Sequence, residues 1–167
     1  MTPALTLVGI PGAGKTTVGA LLAQQLGVPL IDVAEAVEAR LGGSAPEFFA
    51  AAGEAAYRVV EEEVALDALR LDGVVALSSG AVDSARVRAA VDGPVVWLRT
   101  SVATATRRLG MNSAGMTALV AIRNRMDAML VERAPWYSAV ATAVVETDRL
   151  TPAEVAAAVL EKHGGRA

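Results

Sequence analysis

The 167-residue sequence contains no cysteine. Disulfides and thiolate metal sites are excluded outright, and a reducing cytoplasm is the expected address. There is a single histidine, His163, close to a Gly-rich tail, where an exposed and inert role is expected. No apolar run approaches the roughly 20 residues of a membrane span, so no membrane partner is expected. The first apolar run has no basic segment ahead of it, as a secretory signal would. Positive charge is not in excess: 15 Lys and Arg stand against 18 Asp and Glu, for a net charge of −3. That balance gives no broad positive field for nucleic acid. What the chain does have is 53% hydrophobic residues, much of it alanine, which points to helix-rich packing around a proper core. The length suits one domain, residues 1–167, and no repeat, linker or low-complexity stretch divides it.

The most specific local pattern is Gly9-Ile10-Pro11-Gly12-Ala13-Gly14-Lys15-Thr16, directly after the apolar run Leu5-Thr6-Leu7-Val8. It matches the phosphate-binding loop G-x-x-x-x-G-K-[ST], in the strand-to-helix setting that loop requires. Its glycines allow backbone N–H groups, including those of Gly12, Ala13 and Gly14, to ring a phosphate. Lys15 reaches the outer phosphates, the Thr16 hydroxyl suits Mg²⁺, and Thr17 continues into a helix whose positive end faces the anion. With glycine near 7% of residues, the four fixed positions recur by accident in roughly one such chain in a few hundred. The plainer alternative is a Gly-rich turn without a ligand.

Five short β-type runs are legible, at 5–8, 30–31, 74–77, 95–98 and 143–145. Several are almost continuously apolar, as strands buried on both faces are. Helical patterns lie between them. One spans 17–26 and stops at Gly27. Ser44-Ala45-Pro46-Glu47 reads as a capping box opening a helix that breaks at Gly53. Others run from Glu54 to about Leu71, over 84–91, over 123–133, and from Thr151 to near Gly164. Alternating strands and helices imply an α/β fold with a parallel sheet covered on both sides.

Three further stretches join the phosphate loop: Leu30-Ile31-Asp32, Gly53-Glu54-Ala55-Ala56-Tyr57-Arg58-Val59-Val60-Glu61, and Arg133-Ala134-Pro135-Trp136-Tyr137. In this order, over nearly the whole chain, the set resembles shikimate kinase. The resemblance implies a P-loop fold of the nucleoside-monophosphate-kinase type: three layers, with a five-stranded parallel sheet. It implies a substrate-binding helical region at about 33–61 and a lid at about 109–122. It implies an ATP- and Mg²⁺-dependent kinase for a small carboxylated alcohol, acting as a monomer or weak homodimer. Carried across by position, Lys15 and Asp32 serve catalysis and Thr16 and Asp32 hold the metal. Arg108 and Pro152 flank the adenine. Arg58 and Arg133 clamp the acceptor carboxylate over a floor that includes Ser79 and Gly80.

The residue types suit these roles. Asp32 ends a buried strand at the carboxyl edge of the sheet, where open α/β sheets bind ligands, and a hard carboxylate suits Mg²⁺. Capping the next helix is its plainer role. Arg58 has Glu54 and Glu61 within helical reach, which is also a simple ion-pair ladder. Arg133 precedes Ala134-Pro135 and is placed where its helix must end. Trp136 and Tyr137 read as packing. Two arginines from distant segments would offer a carboxylate the forked donors that lysines lack.

The sequence also departs from the family pattern. Asp32-Val33-Ala34 replaces D-x-D and lacks the second carboxylate, with Glu35 next door but turned about 100° on a helix. Ser78-Ser79-Gly80 replaces three glycines, narrowing the floor and adding donors. Gly115 stands in the uncharged lid where the family carries an arginine, with Arg123 and Arg125 the nearest substitutes. Two versions of the kinase follow, one acting on shikimate and one on a related cyclic or polyol acid. A nucleotide-binding pseudokinase, and a nucleotide or gluconate kinase on the same general fold, are the alternatives.

Overall fold

The computed structural model describes residues 2–164. Five strands form one parallel sheet: β1 (Leu5–Val8), β2 (Leu30–Asp32), β3 (Val74–Ala76), β4 (Val95–Arg99) and β5 (Ala143–Glu146). Their spatial order is β2-β3-β1-β4-β5, with every pairing parallel. Every residue of β1 and β3 is buried, which is why both are apolar apart from the buried Thr6. The register pairs Leu7 with both Ala76 and Val96, and Asp32 with Ala76. The carboxyl ends of β1, β2 and β3 therefore open onto one crevice.

The helices are α1 (Lys15–Leu26), α2 (Val33–Leu41), α3 (Ala45–Ala52), α4 (Glu54–Ala68), α5 (Ala85–Ala90), α6 (Val102–Arg108), α7 (Met116–Val140) and α8 (Pro152–Gly164). Short 3-10 turns lie at Ala81–Asp83 and Met111–Ser113. The sheet carries helices on both faces; α1 packs on α8, β1 and β3, and α7 lies against β4. Val18, Leu22 and Ala23 of α1 and Val155, Ala156 and Val159 of α8 supply much of the core on their side. The capping box at Ser44 forms in both directions, with Glu47 N donating to Ser44 Oγ and Ser44 N to Glu47 Oε2.

Two helices differ from the sequence reading. α7 does not stop at Arg133 but runs through Pro135 to Val140. Proline removes one backbone bond and crowds the preceding turn, a cost of about 3 kcal/mol. Tyr137 offsets it: its ring is fully buried 5.7 Å from that of Trp97, and its hydroxyl donates to Ser79 O at 2.7 Å. Helix α6 had no sequence signal, because its Val102, Thr104 and Thr106 are β-branched and weak helix formers. It forms because Ser101 caps it, accepting from Thr104 N at 3.2 Å, and because Val102, Ala105 and Thr106 are buried. His163 is half-buried instead of exposed.

Just beyond β3, the buried Ser78 hydroxyl has no hydrogen-bond partner among the described residues. A buried donor left unpaired costs about 1–3 kcal/mol, so Ser78→Ala is expected to stabilise the protein by roughly 1 kcal/mol. The check is thermal unfolding, with the midpoint rising by about 2–4 °C for a chain of this size. A lowered midpoint would show that Ser78 has a structural partner.

Candidate functional site

The loop between β1 and α1 is pressed against α6. Gly12 has φ +79°, and a Cβ built on it would lie 2.6 Å from the carbonyl oxygen of Ala105. No side chain fits there, so the main chain itself forms the wall. The Lys15 ammonium folds back over the loop, donating to Gly9 O at 2.8 Å, Ile10 O at 3.0 Å and Ser79 Oγ at 3.2 Å. Burial lowers its pKa to about 8; Asp32 opposes the shift and Arg133 adds to it.

Thr16 Oγ1 donates to Asp32 Oδ2 at 2.5 Å, while Asp32 Oδ1 accepts from Ala34 N at 3.0 Å and Glu35 N at 3.3 Å. The plainer reading of Asp32, as a helix cap, is the one these bonds show. One oxygen caps α2, and the other pairs with the hydroxyl that follows the loop lysine. On the outer side Arg108 straps the loop to the segment that follows β5. It donates to Thr147 O at 2.8 Å and Thr147 Oγ1 at 3.0 Å, and reaches Gly12 O and Ala13 O at 3.4 Å. Pro152 opens α8 beside it.

On the inner side two guanidinium groups converge. Arg58, from α4, is half-buried and bonds Glu61 at 2.6 Å and Glu54 at 3.1 Å. Burial works against its charge, but Glu61 and Glu54 outweigh it and raise its pKa. Arg133, from α7, is buried and grips Asp83 with two nitrogens, Nε to Oδ1 at 3.0 Å and Nη2 to Oδ2 at 2.9 Å. Both rest on Gly80. A Cβ there would lie 2.0 Å from Arg58 Nη1 and 3.1 Å from Arg133 Nη2.

One cavity of about 820 Å³ joins all these groups. Gly12, Ala13, Gly14, Lys15, Thr16, Thr17 and Arg108 and Pro152 line one end; Asp32, Arg58, Ser79, Gly80 and Arg133 line the other. Every site residue expected from the sequence is thus in one place. Glu35, Arg123 and Arg125 do not line it, while Ala34 does. The sequence reading missed several contributors. Asp83 and Thr147 hold Arg133 and Arg108 from 50 and 39 residues away, separations that leave no sequence signal. Phe49 and Tyr57, stacked with centroids 4.5 Å apart, add an apolar wall.

A family profile described as shikimate kinase matches residues 11–163. Over 167 residues the chain is 43% identical to the shikimate kinase of Mycobacterium tuberculosis, covering 97% of this chain and 94% of that one. It is 43% identical over 156 residues to the shikimate kinase of Thermobifida fusca, covering 92% and 91%. A solved structure, shikimate kinase from Acinetobacter baumannii in complex with shikimate, superposes with a TM-score of 0.90 at 28% identity, covering 99% and 94%. The chain belongs to the shikimate kinase family.

With the family comes the class of chemistry, ATP-dependent phosphoryl transfer to an alcohol hydroxyl. The fold is likewise that of a P-loop kinase, with its five-stranded parallel sheet and surrounding helices. Such transfer asks the protein mainly for positioning and charge stabilisation.

Two outcomes are expected from this geometry. Gly80→Ala keeps an ordinary backbone but pushes both guanidinium tips aside. The KM for a carboxylate-bearing acceptor should rise by roughly tenfold or more, the worth of one charge-assisted hydrogen bond, with the nucleotide KM and unfolding midpoint nearly unchanged. Steady-state kinetics decide it; an unaltered acceptor KM would show that the arginines do not work from this floor. The second outcome concerns pH. A triphosphate around Lys15 favours the ammonium form and raises its pKa from about 8. Nucleotide affinity should therefore be full below pH 8 and fall as pH rises through it, by up to about tenfold per unit. Calorimetric titrations in buffers of different ionisation enthalpy should record proton uptake at pH 8.5 that disappears in Lys15→Met.

Proposed function

We propose that the protein phosphorylates a hydroxyl of shikimate with ATP and Mg²⁺. The carrying observation is the convergence of Arg58 and Arg133 over Gly80, in the cavity that also holds the phosphate-binding loop. Two forked cations beside a triphosphate site match an acceptor that is both a carboxylate and an alcohol. A shikimate-bound relative of the same fold supports the choice of acid.

In this reading the amides of Gly12, Ala13 and Gly14, with the start of α1 at Lys15 and Thr17, hold the phosphates. Lys15 gives up one of its present contacts to reach the outer phosphates. The Thr16 hydroxyl and the Asp32 carboxylate, already 2.5 Å apart, are a hard-oxygen pair suited to Mg²⁺, Asp32 through water. Mg²⁺ would supply charge neutralisation across the β- and γ-phosphates. Arg108 and Pro152 flank the adenine. Residues 33–61 carry the acceptor-binding helices, and 109–122 form the lid. Leu109, Met116 and Val120 are exposed on that lid, so it closes with apolar surface. Shikimate is the small-molecule partner, and the proposed setting for the cysteine-free chain is the reducing cytoplasm, as a monomer or weak homodimer.

A second reading is favoured by Ala34 and Gly115, which leave the end of β2 without a second carboxylate and the lid without a charge. It is a protein that binds nucleotide with impaired transfer. One assay separates the two. Shikimate-dependent ADP release in magnesium buffer is expected, and Arg133→Lys should raise the shikimate KM by about 10–100-fold while sparing the ATP KM, because a lysine cannot make the forked contact. Tight MgATP binding with no turnover on shikimate would favour the second reading.

A further inference from the structure

An ammonium group has three hydrogens to give, and on Lys15 all three are given away. Two go to Gly9 O and Ile10 O, carbonyls of the loop that carries the lysine. The third goes to Ser79 Oγ, from a segment 64 residues further along the chain, and at 3.2 Å it is the longest of the three. A phosphate entering the loop must take at least one of these hydrogens. The bond to Ser79 is the one to yield, being the longest and the only one to a neutral hydroxyl outside the loop.

Ser79 itself stands at the seam between the two ends of the cavity. Its carbonyl is pinned by the buried Tyr137 hydroxyl at 2.7 Å, so the main chain cannot drift when the side chain changes partner. The next residue, Gly80, is the floor under Arg58 and Arg133. The Ser79 side chain is half-buried, lines the cavity, and donates its own hydrogen to no partner among the described residues. While Lys15 is bound, one lone pair of Oγ is occupied. Once Lys15 leaves, the hydroxyl regains that lone pair and can both accept from and donate to a neighbouring alcohol. The carboxylate of the acceptor is drawn to the guanidinium pair, which bind it far better than a neutral hydroxyl does. The partner left for Ser79 is an acceptor hydroxyl on the side facing the nucleotide.

We infer that Ser79 is a positioning residue that couples the two substrates: it holds Lys15 back in the empty site and turns to the acceptor alcohol when the nucleotide draws the lysine away. This rests on the kinase reading above. Because binding linkage is reciprocal, nucleotide should raise acceptor affinity by the same factor that acceptor raises nucleotide affinity. One neutral hydrogen bond sets that factor at roughly three- to tenfold.

The test is calorimetry on the full chain, titrating MgADP with and without shikimate and shikimate with and without MgADP. Wild type should show reciprocal enhancement within that range. Ser79→Ala should bring the coupling factor to about one, and should bind MgADP alone about two- to fivefold more tightly, since no Ser79 contact has to be broken. Ser79→Thr, which keeps the hydroxyl, should restore both values, a rescue that a merely space-filling role would not produce. Coupling that persists in Ser79→Ala overturns the inference, as does coupling lost equally in Ser79→Thr. If wild type binds MgADP but not shikimate, the acceptor assignment fails separately. The MgADP affinity of Ser79→Ala then decides for Ser79: tighter binding sustains its hold on Lys15, and equal or weaker binding overturns it.

Discussion

At two glycines that line the cavity, main chain has to come unusually close to other atoms, and the rest of the site is spaced by those approaches. At Gly12 the phosphate loop lies so near the Ala105 carbonyl that a single carbon would collide at 2.6 Å. At Gly80 the floor lies so near the Arg58 guanidinium that a carbon would collide at 2.0 Å. The first contact brings loop amides against α6 and lets Arg108 reach across to Thr147. The second lets two cations from α4 and α7 occupy one small volume. Between these approaches Lys15, Thr16, Asp32 and Ser79 need only short side chains or a single stem to meet.

Crowding like charges is costly, and the protein offsets it with carboxylates placed behind each guanidinium. Arg58 leans on Glu61, which is almost fully buried, and Arg133 is clasped by Asp83. Each arginine is held in a defined orientation while a face remains on the cavity. Lys15 has no such dedicated acid. Its neighbours are carbonyls, one hydroxyl and the Asp32 charge, and burial brings its pKa down to about 8. That difference suits the proposed division of roles, with the arginines as fixed recognition groups and the lysine as the cation that changes partner.

The local motifs were readable because each is a contiguous pattern with its own physical cause. Gly9 to Thr16 announced a phosphate loop, and apolar runs of two to four residues announced buried parallel strands. The capping box at Ser44 formed as its spacing requires. What misled was local reasoning about α6 and α7. The β-branched stretch after Ser101 hid a helix, and Pro135 suggested an end that Tyr137, buried against Trp97 and bonded to Ser79 O, overrides. Asp83 carried no signal at all, since its role exists only where α7 crosses the turn after β3.

By itself the sequence determined the chemistry on offer: a loop able to ring a phosphate, an acid at the end of β2, and arginines able to fork onto a carboxylate, in a cysteine-free α/β chain. Those are properties of residue type and short spacing, which survive without knowledge of the fold. Only the tertiary structure decided which groups share atoms with which. Asp32 divides its two oxygens between a helix cap and the Thr16 hydroxyl, Lys15 reaches Ser79, and two arginines 75 residues apart meet over Gly80. Such contacts depend on how parallel strands and their crossovers stack in space, and short-range sequence spacing does not encode that.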